Sequence, residues 1–426
     1  MPVSDRALAL MVGAALPVGA QFGRENFAGD PLVRDFCDWA KQQLQVQVEV
    51  FVSWSCPPDV SILTASGASI LVRSERFDTL LVEYLHLKDA GQGGEPLLTE
   101  SAMRSAVLRW MAEFLLGYRW PQAALDAAMR ALALRIDPEP PNPFRDQTLA
   151  SIDEVRRAAV QCFCLAHELG HLIPSSHDEI SLDTTIDGLS LSHCIARDIK
   201  EAGSGDAADV MMRVARSRID AAILLREIDA DLIALELVAA YIANTLRVSA
   251  ETALEVALAA FEAQCFVYAT KQTCLLLKRH AGRPDARDDF VQDDWVAATQ
   301  FSVRARCVLR RAGLLLSRWS APDEQQTAAT INRFVPVIDA MFAESMEFRA
   351  TLAAVAHQES ERLRDTIPAW NTNQDRAVFG SLIDAAQNNS DVRFDLFYML
   401  LAMGFPGGTD PIRWMEHLFD AQQAGS

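Results

Sequence analysis

Basic residues are in short supply in this chain. Lys and Arg number 39 against 57 Asp and Glu, a formal net charge of −18 over 426 residues. A partner with a phosphate backbone needs Lys/Arg patches whose binding releases counterions, and the sequence contains no run of basic residues. Neither nucleic acid nor an anionic membrane surface is expected as a partner. Long apolar runs are missing too. Ala7 to Ala20 is apolar but stops short of the twenty or so residues that span a bilayer, and no other stretch reaches that length without charge. No integral membrane segment is expected. The same N-terminal stretch ends in Val18-Gly19-Ala20, passable for signal cleavage, but Asp5 cancels Arg6 ahead of it, so a positive n-region is lacking. The eight cysteines (37, 56, 162, 164, 194, 265, 274, 307) make no C-x-x-C and no framework spacing. Reduced thiols in a cytosol-like compartment follow. The expected location is cytoplasmic, with export as the alternative if residues 1–20 act as a signal peptide. No fixed repeat period supports a solenoid. What remains is a chain that is 50% hydrophobic and 23% charged, ordinary for a globular protein of two or three domains.

Histidine is also scarce, at eight residues, which makes its spacing informative. His167-Glu168-Leu169-Gly170-His171 stands near the end of a segment, 149–173, whose apolar positions Leu149, Ile152, Val155, Ala159, Cys162, Leu165, Leu169 and Leu172 recur at helical spacing. Residues four apart on a helix lie one turn from each other on the same face, so both imidazoles can aim at one point. Glu168, one position round, can touch a water held there. That is the H-E-x-x-H arrangement of a zinc site with a glutamate general base. The bland alternative is a pair of surface histidines that complement the dipole at a helix C-terminus. A third ligand decides between them.

A second helix is expected over 220–240, with Ile223, Ile228, Leu232, Leu235 and Val238 as its apolar face. Within it Glu227 and Asp231 are four apart. Glu227 would complete the coordination, and Asp231 would accept the free N–H of a ligating histidine and so fix its tautomer. The competing reading makes Glu227, Asp229 and Asp231 a solvated acidic patch. Cys194 is an alternative third ligand. Gly170 between the histidines is small and admits a close neighbour.

HELGH followed by Glu227, Ala230 and Asp231 resembles the gluzincin metallopeptidases, with HExxH and a downstream ExxxD. The likeness is to the soluble repressor-cleaving peptidases of mobile elements and to the peptidase domain of the CAAX prenyl-protease and heat-shock membrane protease family. It implies a zincin-like core, zinc on His167, His171 and Glu227, Glu168 as general base, Asp231 behind a ligand, and hydrolysis of a protein or peptide substrate. It covers the two motifs and the strands before them. Between His171 and Glu227 the chain advances 56 residues, more than the compact members have, so an insertion is expected at 175–220. His177 or His193 there, and His280 with Arg287 further on, are candidate oxyanion or substrate contacts, although His177 and His193 read first as ordinary loop residues.

The expected architecture is α+β and predominantly α. Residues 1–145 carry a small N-terminal sheet and helices, 146–248 the zinc-binding core with its insertion, and 249–426 an all-helical C-terminal region. Strands are expected over 46–54, 60–64 and 68–73, with Ser69 to Arg73 as the edge that pairs with an extended substrate. Helices are expected at 77–87, 101–117, 121–135, 252–278, 291–319, 327–346, 348–364, 376–386 and 392–403. Gly91 to Pro96 and the proline-dense 137–143 read as linkers, and the insertion as the least regular segment, a lid or binding loop. Two readings of other classes stand beside a narrow-specificity peptidase. One is a catalytically silent zinc-binding scaffold; the other is a different HExxH amidohydrolase such as a deformylase.

Overall fold

The computed structural model describes residues 22–363, apart from 26, 28–29, 54–58, 66–67, 75–76, 78–79, 82, 86, 89–99, 118–120, 137–153, 175–180, 203–205, 281–286 and all but two positions of 321–346. The expected helices at 376–386 and 392–403, both linkers, most of 327–346, His177 and the first twenty residues lie outside that set. Among the described residues helices dominate. They are α1 (Pro31–Leu44), α2 (Glu100–Gly117), α3 (Pro121–Ile136), α4 (Glu154–Gly170), α5 (Leu191–Ala202), α6 (Asp206–Arg218), α7 (Ala221–Leu246), α8 (Ala250–His280) and α9 (Arg287–Ser320). The described positions of 77–88 and of 347–363 are also helical.

Aspartates open two of the helices. Asp30 caps α1 by accepting from Val33 N at 3.3 Å, with Pro31 supplying a preset φ at the first helical position. Asp220 caps α7 by accepting from the amides of Ala222 and Ile223 at 2.9 and 3.1 Å. Both helices end on left-handed residues, Gln45 and Arg247, which free the chain to turn away.

Four strands, β1 (Phe22–Arg24), β2 (Glu49–Ser53), β3 (Val60–Ala65) and β4 (Ala68–Ser74), make one sheet in the order β1-β2-β4-β3. β4 runs parallel to β2 and antiparallel to β3. The edge beside the helices is therefore β3, and the expectation that 69–73 forms it is corrected. The reason is legible in composition. Ile70, Leu71 and Val72 are all buried, the continuous apolar run of a strand covered on both faces, whereas Ser61, Ile62 and Leu63 are half-buried and Thr64 is exposed.

The 175–220 segment is more ordered than its polar composition suggests. A hairpin, β5 (Thr185–Ile186) and β6 (Leu189–Ser190), turns at Asp187 and Gly188 with φ of 52° and 79°. Asp-Gly is the pair that accepts two consecutive positive φ values. In α5, Leu191, Cys194, Ile195 and Ile199 are buried at helical spacing. Ser, Thr and Asp crowd around these positions and mask the period.

One cluster of buried residues runs from Phe27 to Leu363. α8 is, among the described residues, the one helix long and apolar enough to cross a bilayer, and 61% of its apolar window is buried against other parts of the protein. It packs on α2, α4, α7 and α9. Its Glu262 accepts from Tyr84 Oη at 3.0 Å and from Lys88 Nζ at 2.6 Å, tying the 77–88 stretch to α8 inside the core.

α4 crosses α7 at close range. A Cβ on Gly170 would stand 2.9 Å from Ala230 Cα and 3.3 Å from its Cβ, so only glycine lets the two backbones approach. Gly170→Ala should cost about 1–3 kcal/mol through forced separation, read as a lower urea midpoint at unchanged m-value. A variant as stable as the wild type would show that this crossing has slack.

Candidate functional site

α4 and α7 meet face to face at the glycine crossing, and their polar side chains converge beside it. His167 and Glu168 end α4; His171 follows in a turn that continues the helical bonding, its amide donating to the carbonyls of His167 and Glu168 at 3.3 and 3.2 Å. The imidazole rings lie 4.8 Å apart and nearly perpendicular, at 84°. Glu227 comes from α7 and faces both. Its Oε2 is 3.4 Å from His167 Nε2 and its Oε1 is 3.5 Å from His171 Nε2. These separations exceed the 2.7–3.2 Å range of a well-made N–H···O bond. The three groups surround a point without satisfying one another.

Behind them lies a buried ionic row. His167 Nδ1 stands 2.8 Å from Asp231 Oδ1, and Arg304 of α9 grips the same carboxylate with Nε to Oδ2 at 2.7 Å and Nη2 to Oδ1 at 2.9 Å. The Asp231 side chain has no exposed surface and that of Arg304 is 4% exposed. Arg304 also reaches Glu227 Oε2 at 3.3 Å. Burial would raise the Asp231 carboxyl, but Arg304 and His167 together outweigh it and hold it below the ordinary range. Burial likewise opposes ionisation of Glu227, yet His167 and Arg304 hold it well below the usual value. Burial works against the charge on His167, but Asp231 and Glu227 together outweigh it and the imidazole keeps its proton up to about 10. His171 goes the other way, down to about 4, through burial and then the positive charge of His167.

Glu168 points toward the sheet. Its Oε2 accepts the amide of Ile62 in β3 at 3.0 Å, and burial pushes its carboxyl up to about 7. The two histidines and Glu168 offer ligand atoms within 4.8 Å of one another. Glu227 is the better third ligand on geometry, since each of its oxygens already faces one Nε2 while Glu168 is turned to a backbone donor. Imidazole and carboxylate together suit a divalent transition metal such as zinc.

These groups open on a cleft of about 380 Å³. Its walls are β3 with Asp59, the helical stretch at Phe77, the first turns of α7 at Ile223 and Arg226, and α8 at Gln264, Tyr268 and Lys271. Lys271 forms an ion pair with Asp59 across the cleft, between α8 and the start of β3. Ile223, expected on the apolar face of its helix, is instead 57% exposed at this rim.

The remaining candidates lie elsewhere. His193 is exposed on α5, its amide donating to Ser190 Oγ at 3.3 Å, and does not line the cleft. The Cys194 thiol is buried, and its carbonyl accepts from Arg306 at 3.0 Å; it too lies outside the cleft lining. His280 is the last residue of α8 and Arg287 the first of α9, and their side chains are outside the described residues. Sequence reasoning passed over Arg304, Tyr268 and Lys271. Arg304 had a signal. It sits three residues from Phe301 and three from Cys307 on a face that is otherwise apolar, and a cation there demands a buried counter-charge.

Removing that cation isolates Asp231. Arg304→Met should cost about 3–5 kcal/mol, the usual result of breaking one side of a buried ion pair, measured by urea unfolding. Arg304→Lys should recover only part of this, because an ammonium cannot grip both oxygens in parallel. A methionine variant within about 1 kcal/mol of wild type, far below the 3–5 expected of a broken buried pair, would mean that His167 alone suffices for Asp231.

No family model, curated protein or solved structure matches this chain.

Proposed function

We propose that the chain is a zinc-dependent metallopeptidase of gluzincin type, hydrolysing peptide bonds in a restricted set of protein substrates. The observation that carries this reading is that each Glu227 oxygen faces the Nε2 of one of the two histidines. Ligand bonds of about 2.0–2.2 Å at a tetrahedral centre put neighbouring ligand atoms about 3.3–3.6 Å apart; the Nε2 atoms of His167 and His171 lie 3.4 and 3.5 Å from the Glu227 oxygens that face them. The residues present fit the ion. His167, His171 and Glu227 would hold it. A bound zinc ion supplies Lewis acidity, which polarises an amide carbonyl and brings the pKa of water to about 7.

The protein's own groups do the rest. Asp231 holds the proton on His167 Nδ1, so the lone pair offered to the ion is that of Nε2. Arg304 keeps Asp231 and Glu227 ionised and in place. Glu168 takes the proton from the attacking water and passes it to the nitrogen of the leaving amine, which breaks the C–N bond without a covalent intermediate. Its carboxyl, lifted by burial to about 7, is matched to accepting and returning a proton near neutral pH. The Ile62 amide holds Oε2 and leaves Oε1 for that exchange. Tyr268, which lines the cleft on α8 close enough to Glu227 for that carboxylate to raise its phenol above the ordinary value, after burial as the larger cause, is the hydroxyl positioned to donate to the oxyanion.

Glu168→Gln should bind one zinc per chain as the wild type does and lose about 10²- to 10⁴-fold in turnover, the contribution of a positioned general base. Glu227→Ala should lose the metal itself. Elemental analysis of dialysed protein and mass spectrometry of a peptide library, with a chelator control, read both effects. A Glu168→Gln variant that still turns over at the wild-type rate, or a zinc-loaded wild type that cleaves nothing, ends the proposal.

A further inference from the structure

Among the described residues, one cation of the cleft, Arg226, has no anionic partner. Lys271 is paired with Asp59 and Arg304 with Asp231 and Glu227. Arg226 also lines the cleft, is exposed, and has no hydrogen-bond or ion-pair partner among the described residues. An exposed arginine is usually just a solvated one, and an isolated exposed isoleucine such as Ile223 needs no explanation either. Three facts together weigh against that here. The chain has 57 acidic residues against 39 basic, so chance favours an acidic neighbour. The other two cations at the site have acquired one. And Ile223 and Arg226, three apart on one face of α7, wall the same cleft.

Arg226 stands on the His171 side of the cleft, within electrostatic reach of that imidazole. Building on the peptidase reading above, we propose that Arg226 selects substrates bearing a carboxylate close to the scissile amide, at the His171 end of the cleft, with Ile223 packing against the apolar part of the same segment. Acidic segments of polypeptide are then the substrate class. The carboxylate is that of Asp, Glu or a chain terminus.

The test is retention of a randomised heptapeptide library on immobilised full-length Glu168→Gln protein given one equivalent of zinc. Retained peptides are sequenced by mass spectrometry, with free and with amidated C-termini run in parallel. Asp and Glu should be enriched about 1.5- to fivefold over Asn and Gln at one position, the scale of a solvent-exposed ion pair. Arg226→Gln on the same background should abolish the bias, and Arg226→Glu should reverse it toward Lys and Arg, with zinc content unchanged in both. A bias that vanishes on amidation assigns the carboxylate to the chain terminus. Retention without acidic bias, a bias that Arg226→Glu leaves untouched, or no retention at all overturns the proposal. Hydrolysis of the library by the wild type is scored separately. Acid-biased retention without hydrolysis defeats the peptidase reading and leaves the selectivity standing; hydrolysis without acid bias does the reverse.

Discussion

Asp231 is ionised at a place with no exposed surface, and the site is organised around that fact. An unpaired carboxylate in a protein interior costs several kcal/mol; here two cations from two other helices offset it, His167 on α4 and Arg304 on α9. Neither helix can shift without exposing or stranding a charge. The polar row therefore fixes the register of three helices at once, which burial of interchangeable leucines would not do. It also sets the orientation of His167, because the nitrogen that meets Asp231 cannot also face the cleft. Core assembly and site assembly are one event, and the contact of Gly170 with Ala230 lets it happen at this separation.

α9 extends that logic to the segment between the two motifs. The protein is acidic, yet α9 concentrates arginines, and those at 304, 306, 310 and 311 each reach an anchor on another element. Arg304 holds Asp231; Arg306 holds Asp198 and the carbonyl of Cys194 on α5. Arg310 donates to the carbonyl of Asp187 at 3.1 Å, and Arg311 bridges the Asp187 carboxylate and Glu236 of α7. The hairpin tip is thus fastened to α9 and, through Arg311 and Glu236, to α7, which carries Glu227. A long excursion between ligand-bearing helices need not loosen them when it is tied down at both its turn and its helix.

This explains what was legible in the sequence and what was not. Period-3.6 patterning located α4 and α7, and the spacing of His167, His171, Glu227 and Asp231 anticipated their convergence, because residues four apart on a helix are neighbours whatever the tertiary context. Arg304 was hidden because its partner lies 73 residues earlier in the chain; a pairing at that separation is set by packing rather than by local pattern. Strand order was hidden for a similar reason. Three β-rich stretches in a row do not reveal that the third inserts between the first two, although the buried Ile70-Leu71-Val72 run marked it as central. In 175–220 the failure was of composition. Polar density suggested irregularity, while an Asp-Gly turn and four spaced apolar residues were enough to build a hairpin and a helix.

The outer edge of β3 shows how tightly sheet and site are joined. The amides of Val60 and Ile62 face away from β4, and each is already held by a carboxylate, Val60 by the side chain of Asp59 at 3.0 Å and Ile62 by Glu168 at 3.0 Å. A free edge would offer these donors to an extended peptide; here that peptide must first displace the carboxylates. For Ile62 the competitor is the proposed general base itself. While Glu168 holds the strand, the amide that would bind a substrate main chain is taken; a substrate carbonyl taking that amide would release Oε2 beside the Oε1 that already serves the proposed base. On that reading, strand pairing would exchange one hydrogen bond for another. The exchange is nearly balanced, because a net hydrogen bond is worth about 0.5–1.5 kcal/mol. On the proposed reading, contacts elsewhere in the cleft would decide its direction, and Arg226, unpaired among the described residues, is one of the groups that could make them.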